Sequence, residues 1–235
     1  MRVLVTRPQP AAERTAAKLQ AMGHAAVMLP LMRAEHFTGA VRAALNERHD
    51  AIAVTSAEAI RVLGALGTAI EPHLTAPLFA VGEATARAAA DLGFADIRTG
   101  PGTGEGLADK IAARMRAGET LIYLAGTPRA DGLEQGLRDR QIDYVTVECY
   151  RMVPVTYRPD TLADLVGSGA FDAVLIYSRE TARCFVSVLH ESGLDAAAFA
   201  SRYLCLSPSA REALPSSVAV EVAATPDEES LFRLL

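Results

Sequence analysis

Short apolar, β-branched runs alternate along this chain with longer Ala- and Leu-rich stretches at helical spacing. The runs are Val3–Val5, Ala25–Leu29, Ala51–Val54, Leu78–Val81, the neighbourhood of Ile97 and Leu121–Leu124. They continue with Tyr144–Val147, Ala173–Ile176, Tyr203–Leu206 and Val218–Val222. Runs apolar on consecutive positions mark strands buried on both faces, and helices between them mark a parallel sheet covered on both sides. Ten strands in 235 residues fit two five-stranded sheets better than one, because domains of about 100–150 residues are the common size.

An internal repeat supports the division. DAIAVTSAEAIRVL, beginning at Asp50, matches FDAVLIYSRETARCF, and the offset is 122 residues both from Asp50 to Asp172 and from Ser56 to Ser178. LFAVGEATARAAA around Gly82 matches YLCLSPSAREAL around Ser207 at an offset of 125. Two strand–turn–helix matches at nearly one offset indicate duplicated structure. A second kind of unit, RVLVTRP with AAVMLP, opens the chain and returns as TLIYLAGTPR with DYVTVECY. This order predicts a discontinuous first domain, 1–30 with 157–235, enclosing a second at 36–149. Linker strands are expected at 31–35 and 150–156, where Pro30, Pro154 and Pro159 discourage helix. A single ten-strand sheet and two sequential domains are the alternatives, and neither explains why each half begins with a different unit.

Composition narrows the function. The chain is 50% hydrophobic with a net charge of −5 and two lysines against 21 arginines. No Lys/Arg stripe suited to phosphate backbones is present, so nucleic acid is not an expected partner. No apolar run approaches the roughly 20 residues of a membrane span, and the N-terminal apolar stretch is too short for a secretory signal. Cys149, Cys184 and Cys205 lie far apart, which reads as reduced thiols in a cytoplasmic protein. His24, His36, His49, His73 and His190 are scattered, so no metal is expected. The phosphate loop, H-E-x-x-H and G-x-S-x-G motifs are all missing. The glycines of Gly100–Gly106 follow the wrong strand for a dinucleotide fingerprint and read as a strand-to-helix turn.

What recurs is a strand running into a small or hydroxyl residue that opens a helix: Thr6-Arg7-Pro8, Thr55-Ser56, Gly82 to Thr85, Gly126-Thr127-Pro128, Ser178, and Ser207-Pro208-Ser209. In a parallel sheet these turns lie at the carboxyl edge, where ligands bind and helix amides favour anions. Capping alone explains any one of them; six on two facing sheets suggest a cleft for a polyanion. Arg7, expected in the first helical turn with Pro8, and Arg129 in the matching place are candidate carboxylate contacts. Tyr150, expected to end the last strand of the second domain, is a candidate proton donor to a departing hydroxyl. The alternative is a hinge aromatic.

The ordered set RVLVTRP, TSAEA, FAVGEATA, Tyr150, YSRETA and LSPSA resembles the uroporphyrinogen-III synthase family, over the chain from Val3 to about Leu231. The resemblance implies two flavodoxin-like α/β domains of parallel sheets, joined by a two-stranded linker with a ligand cleft between them. It implies a cofactor-free hydro-lyase that cyclises hydroxymethylbilane, a linear tetrapyrrole polycarboxylate, losing water and inverting the terminal pyrrole ring. Tyr150 would assist loss of the hydroxyl, while Thr85, Ser56, Ser178 and Ser207 or Ser209 hold carboxylates. Ala210 stands where the repeat would place the counterpart of Thr85, so Ser209 has to supply that hydroxyl. A monomer receiving its substrate by transient handover from hydroxymethylbilane synthase is expected. A hinge-closing binding protein for a polyanion, without catalysis, and a nucleotide-dependent enzyme are the other classes open at this point.

Overall fold

A computed structural model of the chain describes residues 1–167 and 170–235. It divides into two compact units, one formed by Met1–Arg33 with Val153–Leu235 and the other by Ala34–Met152. The chain opens with β1 (Arg2–Val5), α1 (Ala11–Ala21) and β2 (Ala25–Met28). It then passes through β3 (Met32–His36) into α2 (Thr38–Asn46), β4 (Ala51–Val54), α3 (Ala57–Gly64), a 3-10 turn and β5 (Leu78–Ala80). α4 (Glu83–Leu92), β6 (Ile97–Thr99), α5 (Gly104–Ala112), β7 (Thr120–Thr127), α6 (Gly132–Asp139) and β8 (Asp143–Pro154) follow. The return to the first unit runs α7 (Pro159–Gly167), β9 (Ala173–Ile176), α8 (Arg179–Glu191), α9 (Ala196–Phe199), β10 (Tyr203–Cys205), α10 (Pro208–Arg211), β11 (Val220–Val222) and α11 (Glu228–Phe232).

The first unit holds a five-stranded sheet in the order β11-β10-β9-β1-β2, and every pairing in it is parallel. The other sheet has six strands, β3-β8-β7-β4-β5-β6, parallel from β8 to β6. All ten apolar runs are strands. The eleventh, β3, reads MRAEH and alternates between half-buried and exposed; it lies at the edge of its sheet, so only one side is covered. Phe37 N–H bonds Cys149 C=O and Val155 N–H bonds Leu31 C=O, a register that descends on one strand as it rises on the other and makes β3 antiparallel to β8.

Consecutive residues of the central strands serve opposite faces. Ile52, Val54, Ile122 and Leu124 point to one core, and Ala51, Ala53, Leu121 and Tyr123 to the other. In the first unit Leu4, Val174 and Ile176 face a core with Phe171, Phe185 and Phe199, whereas Val3, Val5 and Leu175 face α1 and α11. Each large side chain so buried contributes about 1.5–3 kcal/mol relative to exposure, which is why these strands read as unbroken apolar runs. α4 ends on Gly93 at φ 105°, the left-handed cap that a side chain disfavours.

Two of the six expected strand-to-helix turns are built differently. β1 does not run into a helix at Thr6-Arg7-Pro8: α1 begins at Ala11, behind Pro10, so Pro8 is not in a helical turn. Gly126 and Thr127 belong to β7 itself, and α6 begins only at Gly132. Tyr150 does not end its strand, because β8 continues to Pro154. The extension follows from the pairing of β3, which covers the far part of β8.

Candidate active site

Tyr150 owes its position to an interruption of strand periodicity. Ala125 pairs with Glu148 but Gly126 pairs with Tyr150, so Cys149 is an extra residue on β8. A bulge of this kind switches the face to which later side chains point. Cys149 and Tyr150 therefore enter the same core although adjacent in sequence, with Val147 and Met152 packed beside them. The ring then lies across the bare Cα of Gly126. A Cβ there would stand 2.1 Å from Cζ and 2.4 Å from the phenol oxygen, so glycine is a steric requirement of the tyrosine's pose. Burial pushes the Tyr150 phenol up, opposed by a hydrogen bond with Ser56.

Ser56 is the extended N-cap of α3, and its Oγ accepts the Glu58 amide at 3.0 Å. The Glu58 carboxylate is in turn held by His36 Nε2 at 2.7 Å and Arg61 Nε at 2.9 Å, which ties the first turn of α3 to β3. Thr55, one residue earlier, shares a hydrogen bond of 3.0 Å with the buried Tyr123 phenol. Thr55, Ser56, Gly126, Arg129 and Tyr150 line a cavity of about 280 Å³, completed by Val81, Gly104, Leu133 and the 128–132 segment. Pockets that take a whole drug-sized ligand span about 300–1,000 Å³, and this one lies just below that range.

Arg129 reaches this cavity as a pre-oriented cation. Its Nε donates to Glu134 Oε2 at 3.1 Å and Nη2 to Oε1 at 3.3 Å, while Thr146 donates to the same Oε1 at 2.8 Å. The Arg129 hydrogen bond holds the Glu134 carboxyl below the usual carboxylate range, against the opposing effect of burial. Gly104 and Gly136 let α5 and α6 approach closely: a Cβ on Gly104 would stand 2.6 Å from Leu133 N and one on Gly136 2.6 Å from Ala108 Cβ. That contact puts Gly104 and Leu133 on the cavity wall.

The other candidates stand elsewhere. Gly82 caps α4 without a side chain, and Thr85 is 5% exposed in its first turn, outside the lining of this cavity. In the first unit Ser178 caps α8, accepting the Thr181 amide at 3.1 Å and sharing a bond of 2.9 Å with the Thr181 hydroxyl. Ser207 and Ser209 share a hydroxyl–hydroxyl bond of 3.0 Å at the start of α10. Arg7 is paired to Glu228 at 2.8 Å, donates to Thr15 and stacks 4.3 Å over the Tyr177 ring. Among the described residues no cluster of three or more His, Cys, Asp or Glu could hold a metal ion, and no helix is long and apolar enough to cross a membrane. The three thiols are free, Cys149 and Cys205 buried.

Two parallel α/β units, with a strand-end cavity in the second that presents hydroxyls, a buried phenol and an arginine, define a two-unit α/β protein with a candidate ligand site. The sequence profile of the family "Uroporphyrinogen-III synthase HemD" matches residues 13–233, and the chain belongs to that family. No curated protein sequence matches it. The fold is similar to uroporphyrinogen-III synthetase from Helicobacter pylori, with a TM-score of 0.67 and 15% identity over 100% of this chain and 98% of that one. It is also similar to a mutant uroporphyrinogen III synthase from the extremely thermophilic bacterium Thermus thermophilus, with a TM-score of 0.54 and 19% identity over 99% and 96%. The protein is thus a cyclising, lyase-type enzyme of porphyrin biosynthesis; the family decides against a binding protein without chemistry.

Proposed function

We propose that the enzyme is a hydro-lyase that converts hydroxymethylbilane to uroporphyrinogen III and water, with Tyr150 as its proton donor. The observation that carries the reading is the Tyr150 phenol, kept protonated by burial and seated on Gly126 beside Ser56 in a strand-end cavity. As the terminal C–O bond breaks, the phenol proton goes to the departing hydroxyl, which leaves as water. The pyrrole nitrogen supplies the electron pair and an azafulvene results. Attack by the substituted carbon of the last pyrrole gives a spiro intermediate, whose fragmentation and recombination invert that ring. A positioned acid contributes about 10²–10⁴-fold; the rest is geometry, since folding the chain so that inversion outruns direct closure is a matter of proximity and orientation.

In this reading Ser56, Thr55 and Arg129 receive carboxylates in the cavity, and the Gly126 position serves Tyr150. Thr85, Gly82, Ser178, Ser207, Ser209 and Arg7 take further acetate or propionate groups or frame the turns that do. Hydroxyls and amides attract an anion without adding net charge, which suits a protein of charge −5. The reading includes a cytoplasmic monomer supplied by transient handover from hydroxymethylbilane synthase. Supplying enzymatically generated hydroxymethylbilane and separating the isomers is the test: uroporphyrinogen III is expected, and isomer I alone would overturn the assignment.

A further inference from the structure

Tyr123 is a second phenol beside the cavity, and the chemistry above makes no use of it. It stands in β7 on the face covered by α5 and α6, and it is 1% exposed. Among the described residues its hydroxyl has one hydrogen-bond partner, Thr55 Oγ1 at 3.0 Å. Thr55 follows β4 at the carboxyl edge of the sheet and lines the cavity. The contact brings together residues 68 apart in sequence.

Either hydroxyl could donate across this contact, but the two arrangements are not equivalent. If Thr55 donated, the phenol hydrogen would be left in the interior without an acceptor, the unfavourable fate of any buried unpaired donor. The phenol does not escape by ionising, because burial pushes its pKa up. If the phenol donates, its buried hydrogen is paired. Thr55 Oγ1 accepts, and its own hydrogen is left for an acceptor in the cavity. A hydroxyl that accepts a hydrogen bond is also polarised into a better donor.

We infer that Tyr123 and Thr55 form a one-way donor relay, from the Tyr123 hydroxyl to Thr55 Oγ1 and on to a carboxylate oxygen of the substrate. Tyr123 is a positioning residue that never touches the substrate. The inference rests on the reading of the cavity as a tetrapyrrole subsite. It also gives that subsite a preference: with one of the two Thr55 lone pairs taken by the phenol, the rotor turns its hydrogen to the cavity and favours an acceptor such as carboxylate.

Steady-state kinetics on enzymatically generated hydroxymethylbilane test the relay in the native protein, Tyr123→Phe, Thr55→Val and the double variant. Loss of a hydrogen bond to a charged group corresponds to about a tenfold rise in KM for Thr55→Val, and loss of its orientation to about a threefold rise for Tyr123→Phe, with kcat within about twofold. The double variant is expected to be no worse than Thr55→Val, since removing the hydroxyl leaves the phenol nothing to orient. Effects that multiply in the double variant would overturn the relay, as would a Tyr123→Phe protein whose melting temperature falls while KM stays unchanged. Thr55→Ser keeps the hydroxyl and should retain the threefold dependence on Tyr123; its loss there also counts against the relay. If the native protein forms only isomer I, the functional reading fails separately, and calorimetric binding of uroporphyrinogen III to the same variants then decides the relay by the same pattern in Kd.

Discussion

Ser56 and Ser178 stand 122 residues apart at equivalent strand-to-helix turns, and both cap the helix that follows. Their surroundings differ. Beside Ser56 the Tyr150 ring lies over Gly126, and both residues line a cavity with Arg129. Beside Ser178 the polar groups are occupied with one another: its hydroxyl meets that of Thr181, and the neighbouring Tyr177 donates to Glu228 at 3.2 Å. Glu228 also takes Arg7, Thr15 and Lys18. The same local signal, serine after a strand, thus caps a helix in both units, and in the second it also lines this cavity. What separates them is supplied by distant residues, Tyr150 in one case and Glu228 in the other.

The sharpest way to break this contrast is at Tyr150. Tyr150→Phe is expected to lower kcat on the order of 100-fold, the lower end of what a positioned acid supplies, while product affinity stays within about twofold. Equal turnover would remove the proton-donor role. Gly126→Ala comes next. The added methyl overlaps the ring, so the tyrosine must shift, with a loss of about 1–3 kcal/mol expected for overpacking and activity falling well beyond the loss of fold. Thermal melts read beside turnover separate the two.

On the other side of the comparison, Glu228→Gln is expected to cost roughly 1–3 kcal/mol, because several donors lose a charged acceptor, with the loss confined to the first unit. Its pH dependence is diagnostic. Burial raises the Glu228 carboxyl, but the hydrogen bonds from Lys18 and Thr15 prevail and the net shift is downward. A lowered folded-state value means that the contribution is present above the ordinary glutamate range and is lost as pH falls through the folded value. Unfolding of the native protein should therefore steepen on acidification, and Glu228→Gln should flatten it; parallel curves would refute the charge network. The smallest effects belong to the two caps. Ser178→Ala and Ser56→Ala should each cost about 1 kcal/mol, and Ser56→Ala should in addition raise KM a fewfold.

The sheets were legible because their central strands are apolar on both faces. β3 was legible only as a linker, since an edge strand of polar residues carries little periodicity. Ser56 and Ser178 were legible because a cap is local chemistry. Tyr150 was visible as a residue but not as a pose, although Val147 and Cys149 followed by Tyr150 and Met152 shows the change of phase that a bulge produces. Arg7 read as a candidate ligand contact, and its pairing with Glu228 was hidden because the two lie 221 residues apart; no local pattern announces such a pair. Thr55 with Tyr123 was hidden for the same reason. The extra strand length after Tyr150 came from tertiary pairing with β3, which propensity does not report.

The antiparallel pairing of residues 31–37 with 149–155 and the parallel pairing of Val3 with Ala173 set a timetable for synthesis. The strands from β4 to β7 find their neighbours within 51–154, a segment that leaves the ribosome as one piece. β1 has its neighbour β2 close behind it, but its other neighbour, β9, follows about 170 residues later, which at roughly 5–20 residues per second is ~10–30 s. Through that interval one edge of β1 can be paired with β2, while the edge that will take β9 stays open. The first sheet is thus closed at β1 only after the whole inserted segment has been made.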